Sequence, residues 1–173
     1  DAAPSVKLYA NYAVGFDNID AVEAKKRGIF VTNTPGSYSD SIAEHTVALI
    51  LSLTTRMTEA DRFMRAGKYK GWSPLNFMGT DLVGKTIGIV GTGRIGERVA
   101  YHLAKGFDSK IVYYDIARNE KIERECGATF VPSIVDVVRL SDIVTLHVPL
   151  LDSTRHLVNE ARLRIMKPSA FLI

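Results

Sequence analysis

From residue 85 onward the chain alternates between two kinds of apolar pattern. Short apolar runs, each suited to a strand buried on both faces, are separated by segments with apolar residues every three or four positions. The runs are Thr86–Val90, Lys110–Tyr114 and residues 129–131, 143–147 and 170–173. The spaced segments are residues 94–105, where Ile95, Val99 and Leu103 stand four apart, then 119–126, Ile134–Leu140 and 160–166. Ser133 and Asn159 precede two of them as side-chain caps, and Gly127 stops another. Strands and helices in strict turn predict a parallel sheet with helices on both faces, a doubly wound α/β fold.

The first 38 residues follow a separate pattern. V-K-L-Y-A at residues 6–10 predicts a short buried strand. Asp17 is placed to cap a helix running to Arg27, and Gly28 stands where a left-handed stop belongs. Residues 29–32 predict a second strand, and a strand–helix–strand unit makes the pair parallel. One such unit buries too little to stand alone, so it reads as the tail of a domain that begins earlier. After a turn-rich linker at residues 33–37, Ser41 and Glu44 match a capping box that opens one long helix reaching Gly67. Ile42, Val47, Leu49, Ile50, Leu53, Met57, Ala60 and Met64 form its wide apolar face. Residues 68–83 carry no periodicity. The expected domains are 1–38 and 39–173.

Gly91-Thr92-Gly93-Arg94-Ile95-Gly96 is a G-x-G-x-x-G that directly follows a predicted strand and opens a predicted helix. In that context Gly91 serves a tight turn, Gly93 lets a pyrophosphate approach, and Gly96 lets helix and strand pack closely. The unpaired N–H groups at the helix start then face phosphate. A purely steric turn is the alternative. Asp115 ends the next strand, 19 residues after Gly96, where a carboxylate accepts the ribose hydroxyls and repels a 2′-phosphate. The cofactor expected is NAD, although Arg118 could soften the preference by turning toward a 2′-phosphate.

Composition narrows the class without changing this picture. Lys and Arg (22) slightly outnumber Asp and Glu (19), and the basic residues are scattered, so nucleic acid is not an expected partner. The longest apolar-rich stretch, residues 46–53, is too short to span a bilayer, so no membrane association is expected. Cys126 is the sole cysteine; it excludes an internal disulfide and a cysteine-based metal cluster, and reads as a small buried filler. No metal site and a cytoplasmic location follow.

Six strings occur in one order: Y-A-V-G-F-D-N-I-D (12–20), K-R-G-I-F-V-T-N-T-P-G (26–36), A-E (43–44), G-K-T-I-G-I-V-G-T-G-R-I-G (84–96), H-V-P-L (147–150) and M-K-P-S-A-F-L-I (166–173). Together they resemble the D-isomer-specific 2-hydroxyacid dehydrogenase family, across essentially the whole chain. The resemblance implies an incomplete Rossmann-type sheet preceded by the tail of a flavodoxin-like substrate domain. It also implies hydride transfer between NAD(H) and C2 of a small 2-oxo or 2-hydroxy acid, in a cleft between the domains. Position by position, the backbone N–H groups of Val14 and Gly15 would hold the substrate carboxylate, though Gly15 also reads as a plain loop glycine. Gly91, Gly93, Arg94, Ile95, Gly96 and Asp115 would bind the dinucleotide, and His147, Val148, Pro149 and Thr154 would line its pocket. The long helix would lie at a two-fold interface, giving a homodimer.

Within the family the strings are most similar to glyoxylate and hydroxypyruvate reductases. Residues 60–72 also resemble phosphite dehydrogenase, which carries a substrate-binding Lys where this chain has the uncharged Val14. A dinucleotide-sensing co-repressor of the same fold is a further alternative. The family's Arg, Glu and His would fall beyond Ile173, so the chain is expected to be an internal piece of a longer enzyme, inactive by itself. Of its four histidines, His45 and His156 read as local surface residues, His102 as exposed, and His147 as pocket lining. No catalytic residue is assigned.

Overall fold

The computed structural model describes residues 4–36 and 38–173. They form two compact units: the described residues up to Tyr38 with Pro149–Arg155, and Ser39–Val148 with His156–Ile173.

In the first unit, β1 (Leu8–Ala10), α1 (Ala21–Lys26) and β2 (Phe30–Thr32) follow one another, and the strands pair in parallel with Leu8 opposite Phe30. Asp20, not Asp17, caps α1: its carboxylate accepts the Glu23 N–H at 2.8 Å. Asp17 lies inside a preceding turn closed by the Ile19 N–H on the Phe16 carbonyl. The strand expected to be buried is exposed, with Leu8 at 51% and Tyr9 at 42%. A six-residue helix over two short strands has too little apolar surface to cover them.

The second unit opens with α2 (Ser39–Thr54) and α3 (Met57–Arg65), then runs β3 (Thr86–Val90), α4 (Arg94–Phe107), β4 (Lys110–Tyr114), α5 (Glu120–Cys126), β5 (Thr129–Phe130), α6 (Ile134–Leu140), β6 (Ile143–Leu146), α7 (Glu160–Arg164) and β7 (Phe171–Leu172). Ser41 is already helical, so it does not begin α2. The single long helix is instead two. The Thr54 carbonyl, which would continue the ladder, accepts the Thr80 N–H at 2.7 Å, and the Thr55 hydroxyl bonds back to the Leu51 carbonyl at 2.6 Å. Arg56 then takes a left-handed conformation (φ 57°) and α3 leaves on a new axis.

The five strands are all parallel, in the order β5-β4-β3-β6-β7. Their residues alternate between two buried layers: Ile87, Ile89, Ile111, Tyr113 and Ile143 pack with α2, α4 and α5, while Val90 and Val144 pack with α6. Burial on both faces explains why the strands read as continuous apolar runs. The chain reverses direction of growth between β3 and β6, and in open α/β sheets that switch point is where ligands bind.

Candidate functional site

At the switch point the chain leaves β3 through Gly91 with φ +89°. A Cβ there would lie 2.7 Å from the His147 carbonyl oxygen, whose own N–H extends the ladder to the Val90 carbonyl at 2.8 Å. Gly96 is tighter still, since its Cβ would meet the Gly91 carbonyl oxygen at 2.1 Å. Gly93 caps α4 in an extended conformation with no side-chain cap and open space where a Cβ would be. Among the described residues, the N–H groups of Gly93, Arg94, Ile95 and Gly96 meet no acceptor. Arg94 is exposed beside them with no partner, while Ile95 packs against the core. These amides, on the positive end of a fourteen-residue helix, make a cradle suited to an anion.

Asp115 does more than the sequence suggests. One carboxylate oxygen accepts both the Thr92 N–H (2.6 Å) and the Thr92 hydroxyl (2.9 Å), and the other accepts the Ile116 N–H at 2.7 Å. It therefore ties the glycine turn to β4 and keeps lone pairs on its second oxygen. Asn119, unassigned from the sequence, completes the tie: its amide donates to the Thr92 carbonyl (2.9 Å) and to Glu97 (3.0 Å), and its oxygen caps α5. Burial works to raise the Glu97 carboxyl, but the bonds from Lys121 and Asn119 outweigh it and leave the group below the ordinary carboxylate range. Thr92, Glu97, Asp115, Arg118 and Asn119 line an open groove of about 470 Å³ beside the amides, room for a ribose and its base.

His147 and Val148 also converge here, Val148 lying 2.9 Å from where a Gly91 Cβ would be. The His147 ring is half-buried, with Nε2 3.0 Å from the Thr145 hydroxyl, and desolvation pushes its pKa down to about 4. It is neutral at physiological pH, and the N–H a neutral imidazole keeps is too weak an acid to serve as a proton donor to an alkoxide. Pro149 and Thr154 belong to the first unit, where the Thr154 hydroxyl donates to the Pro149 carbonyl at 2.6 Å. His102 is half-buried rather than exposed, its Nε2 enclosed without a partner, because α2 as well as the sheet packs on α4. Burial pushes the half-buried Cys126 thiol up, away from the reactive thiolate.

In the first unit the peptides around Val14 and Gly15 are held by their carbonyls. The Thr34 N–H bonds the Ala13 carbonyl at 2.9 Å, and the Asn33 amide bonds the Val14 carbonyl at 2.9 Å. In a trans peptide the N–H points opposite the carbonyl, so these bonds turn the Val14 and Gly15 N–H groups away from Thr34 and Asn33. Neither meets an acceptor among the described residues. Asn33 sits in what the sequence presents as a linker; only its side-chain amide, 19 residues from its partner, marks a role.

A parallel α/β sheet with free helix-start amides at its switch point and a carboxylate closing the second strand defines a Rossmann-type dinucleotide-binding protein. Residues 47–173 match the profile described as D-isomer specific 2-hydroxyacid dehydrogenase, NAD binding domain. The chain belongs to that family, and its second unit is an NAD-binding domain. It is 50% identical to a glyoxylate reductase of Thermococcus litoralis and 48% identical to one of Korarchaeum cryptofilum, covering 99% and 100% of this chain and 52% of each relative. A D-lactate dehydrogenase of Aquifex aeolicus, crystallised with NAD and lactic acid, superposes with a TM-score of 0.84 at 36% identity, over 98% of this chain and 49% of that one. The chain spans about half the length of the curated relatives it matches.

Proposed function

We propose that the whole protein transfers a hydride between NAD(H) and C2 of a small 2-oxo or 2-hydroxy acid, with glyoxylate or hydroxypyruvate as the substrate. The observation that carries this reading is the row of unpaired amides from Gly93 to Gly96, flanked in sequence by the groove residues Thr92 and Glu97, in a chain half identical to glyoxylate reductases. Bound NAD(H) would supply the hydride chemistry. The chain's own residues do the holding. Gly91 and Gly96 shape the turn, the amides and Arg94 take the diphosphate, and Asp115 offers its free lone pairs to the ribose. His147 and Val148 are assigned to the cofactor pocket beyond β6, and Pro149 and Thr154 are further assigned as cofactor contacts. The Val14 and Gly15 amides take the substrate carboxylate. With His147 neutral and His102 enclosed beside α2, neither is assigned as the general acid.

The natural setting proposed is cytoplasmic, as a homodimer, with a small acid rather than nucleic acid as its partner. No helix among the described residues is long and apolar enough to cross a membrane. Leu49, Leu53, Met57 and Met64 stay 43–56% exposed along α2 and α3, which supports burial against a second copy. The decisive assay is NADH oxidation by the whole protein, followed at the nicotinamide absorbance, with glyoxylate, hydroxypyruvate, pyruvate and phosphite as alternative substrates. Turnover confined to the 2-oxo acids is expected; absence of turnover with all of them would end the proposal. Sedimentation giving the mass of one copy would end its dimer component.

A further inference from the structure

The ribose groove carries an ion-pair arrangement that dinucleotide binding alone does not require. Among its lining residues Arg118 is the single cation, against Glu97, Asp115 and Glu120. Yet Arg118 does not serve the groove. Its Nε and Nη2 donate to the two oxygens of Glu123 at 3.1 and 2.8 Å, and its guanidinium lies over the Phe130 ring at 5.7 Å. Glu123 is itself anchored, because the Tyr113 hydroxyl, on a fully buried ring, donates to it at 2.6 Å. The same hydroxyl accepts the Asn119 N–H at 2.8 Å, which links the latch to the residue that fastens the glycine turn. Arg118 and the Tyr113 hydroxyl together hold the Glu123 carboxyl below the usual carboxylate range, so the latch stays charged at neutral pH.

We propose that Glu123 is a cofactor-specificity residue: it sequesters Arg118, the one groove cation able to pair with a 2′-phosphate, and leaves Asp115 facing the ribose unopposed. The inference rests on the NAD-binding reading of the groove and adds a second carboxylate to it. Asp115 repels the extra phosphate directly, while Glu123 removes its natural counter-charge. Glu123 does not itself line the groove and acts only by positioning Arg118.

The test is equilibrium binding of NADH and NADPH to the whole protein by calorimetry, with the ratio of the two affinities as the readout. Glu123→Gln keeps an acceptor for the Tyr113 hydroxyl but cannot form the charged pair. It should raise the NADPH-to-NADH affinity ratio about fivefold, the worth of one exposed charge–phosphate contact. The gain should shrink between about 50 and 500 mM salt. It should vanish in Glu123→Gln/Arg118→Gln, and Arg118→Gln alone should leave the ratio unchanged. An unchanged ratio in Glu123→Gln, or a gain that survives loss of Arg118, would overturn the proposal. So would a several-fold loss of NADPH affinity in Arg118→Gln alone, since Arg118 would then already reach the phosphate. Failure of the unaltered protein to bind either dinucleotide would overturn the groove assignment itself, along with everything built on it.

Discussion

The double use of Asp115 gives a test that needs no cofactor. Its carboxylate accepts the N–H and hydroxyl of Thr92 and the N–H of Ile116. Ile116 is 98% exposed, so its N–H turns to water when the carboxylate is removed. Thr92 is 4% exposed, and its N–H has no other acceptor. Losing a charge-assisted bond and stranding a buried donor costs about 1.5–3 kcal/mol. The open groove beside Thr92 admits a water that recovers part of this, which places the expectation near 2 kcal/mol. For a chain of this size the corresponding fall in Tm is about 4–8 °C.

Asp115→Ala should therefore lower the circular-dichroism melting transition by that amount with no dinucleotide present. Asp115→Asn, whose carbonyl still accepts the Thr92 N–H, should lose about half as much. Both should weaken NADH binding. An Asp115→Ala protein melting within about 1 °C of the unaltered one would refute the reasoning. The carboxylate would then hold no turn, and its place at the end of β4 would owe nothing to folding.

Three further outcomes follow from the same geometry. Gly96→Ala places a methyl 2.1 Å from the Gly91 carbonyl oxygen, a backbone atom that cannot step aside; the cost should be about 2–4 kcal/mol, and calorimetry should show NADH binding abolished. His147, with its pKa near 4 against an ordinary value near 6.5, stays neutral in the fold while the unfolded chain takes up a proton. Stability from this group is fully present above about pH 6.5 and is lost as pH falls toward 4, by on the order of 2–3 kcal/mol. NMR should show the ring unprotonated at pH 5, and His147→Gln should flatten the acid side of the stability profile; a ring titrating above pH 6 would contradict the burial argument. Asn33→Ala frees the peptide that carries the Gly15 N–H, so the whole enzyme should show KM for its 2-oxo acid raised about fivefold with kcat less affected. An unchanged KM would remove Asn33 from the substrate site.

What could be read from the sequence follows a physical division. β3, β4 and α6 have the limits their residues announce, because a strand buried on both faces must be apolar throughout and a Ser cap with its following turn is a local event. The glycine turn and Asp115 are legible for the same reason: steric demands at Gly91 and Gly96 act on single residues at fixed spacing. The break after Thr54 is not local. Nothing in L-T-T-R-M forbids a helix, and the interruption comes from an N–H 26 residues away at Thr80 that claims the Thr54 carbonyl. The choice between Asp17 and Asp20 is likewise decided by where the Phe16–Ile19 turn closes, and the exposure of β1 by what packs on it, which a strand's own residues do not encode.

The same division separates the proposed binding residues from those that hold them in place. Gly93, Arg94 and Asp115 carry their chemistry in side-chain type and position along the chain. Asn119, Asn33 and Glu123 act through bonds to groups 27, 19 and 5 residues distant, two of those bonds being to backbone carbonyls that every residue possesses. An amide bonded to a carbonyl leaves no trace in sequence pattern, yet it fixes a peptide plane, and the plane fixes the direction of the N–H on its other side. In both units the candidate ligand contacts are such N–H groups. The aim of those N–H groups is therefore set by side chains that bond elsewhere in the chain, and substitutions at Asn33, Asn119 or Glu123 should alter affinity or selectivity while leaving Gly93, Arg94 and Asp115 themselves intact.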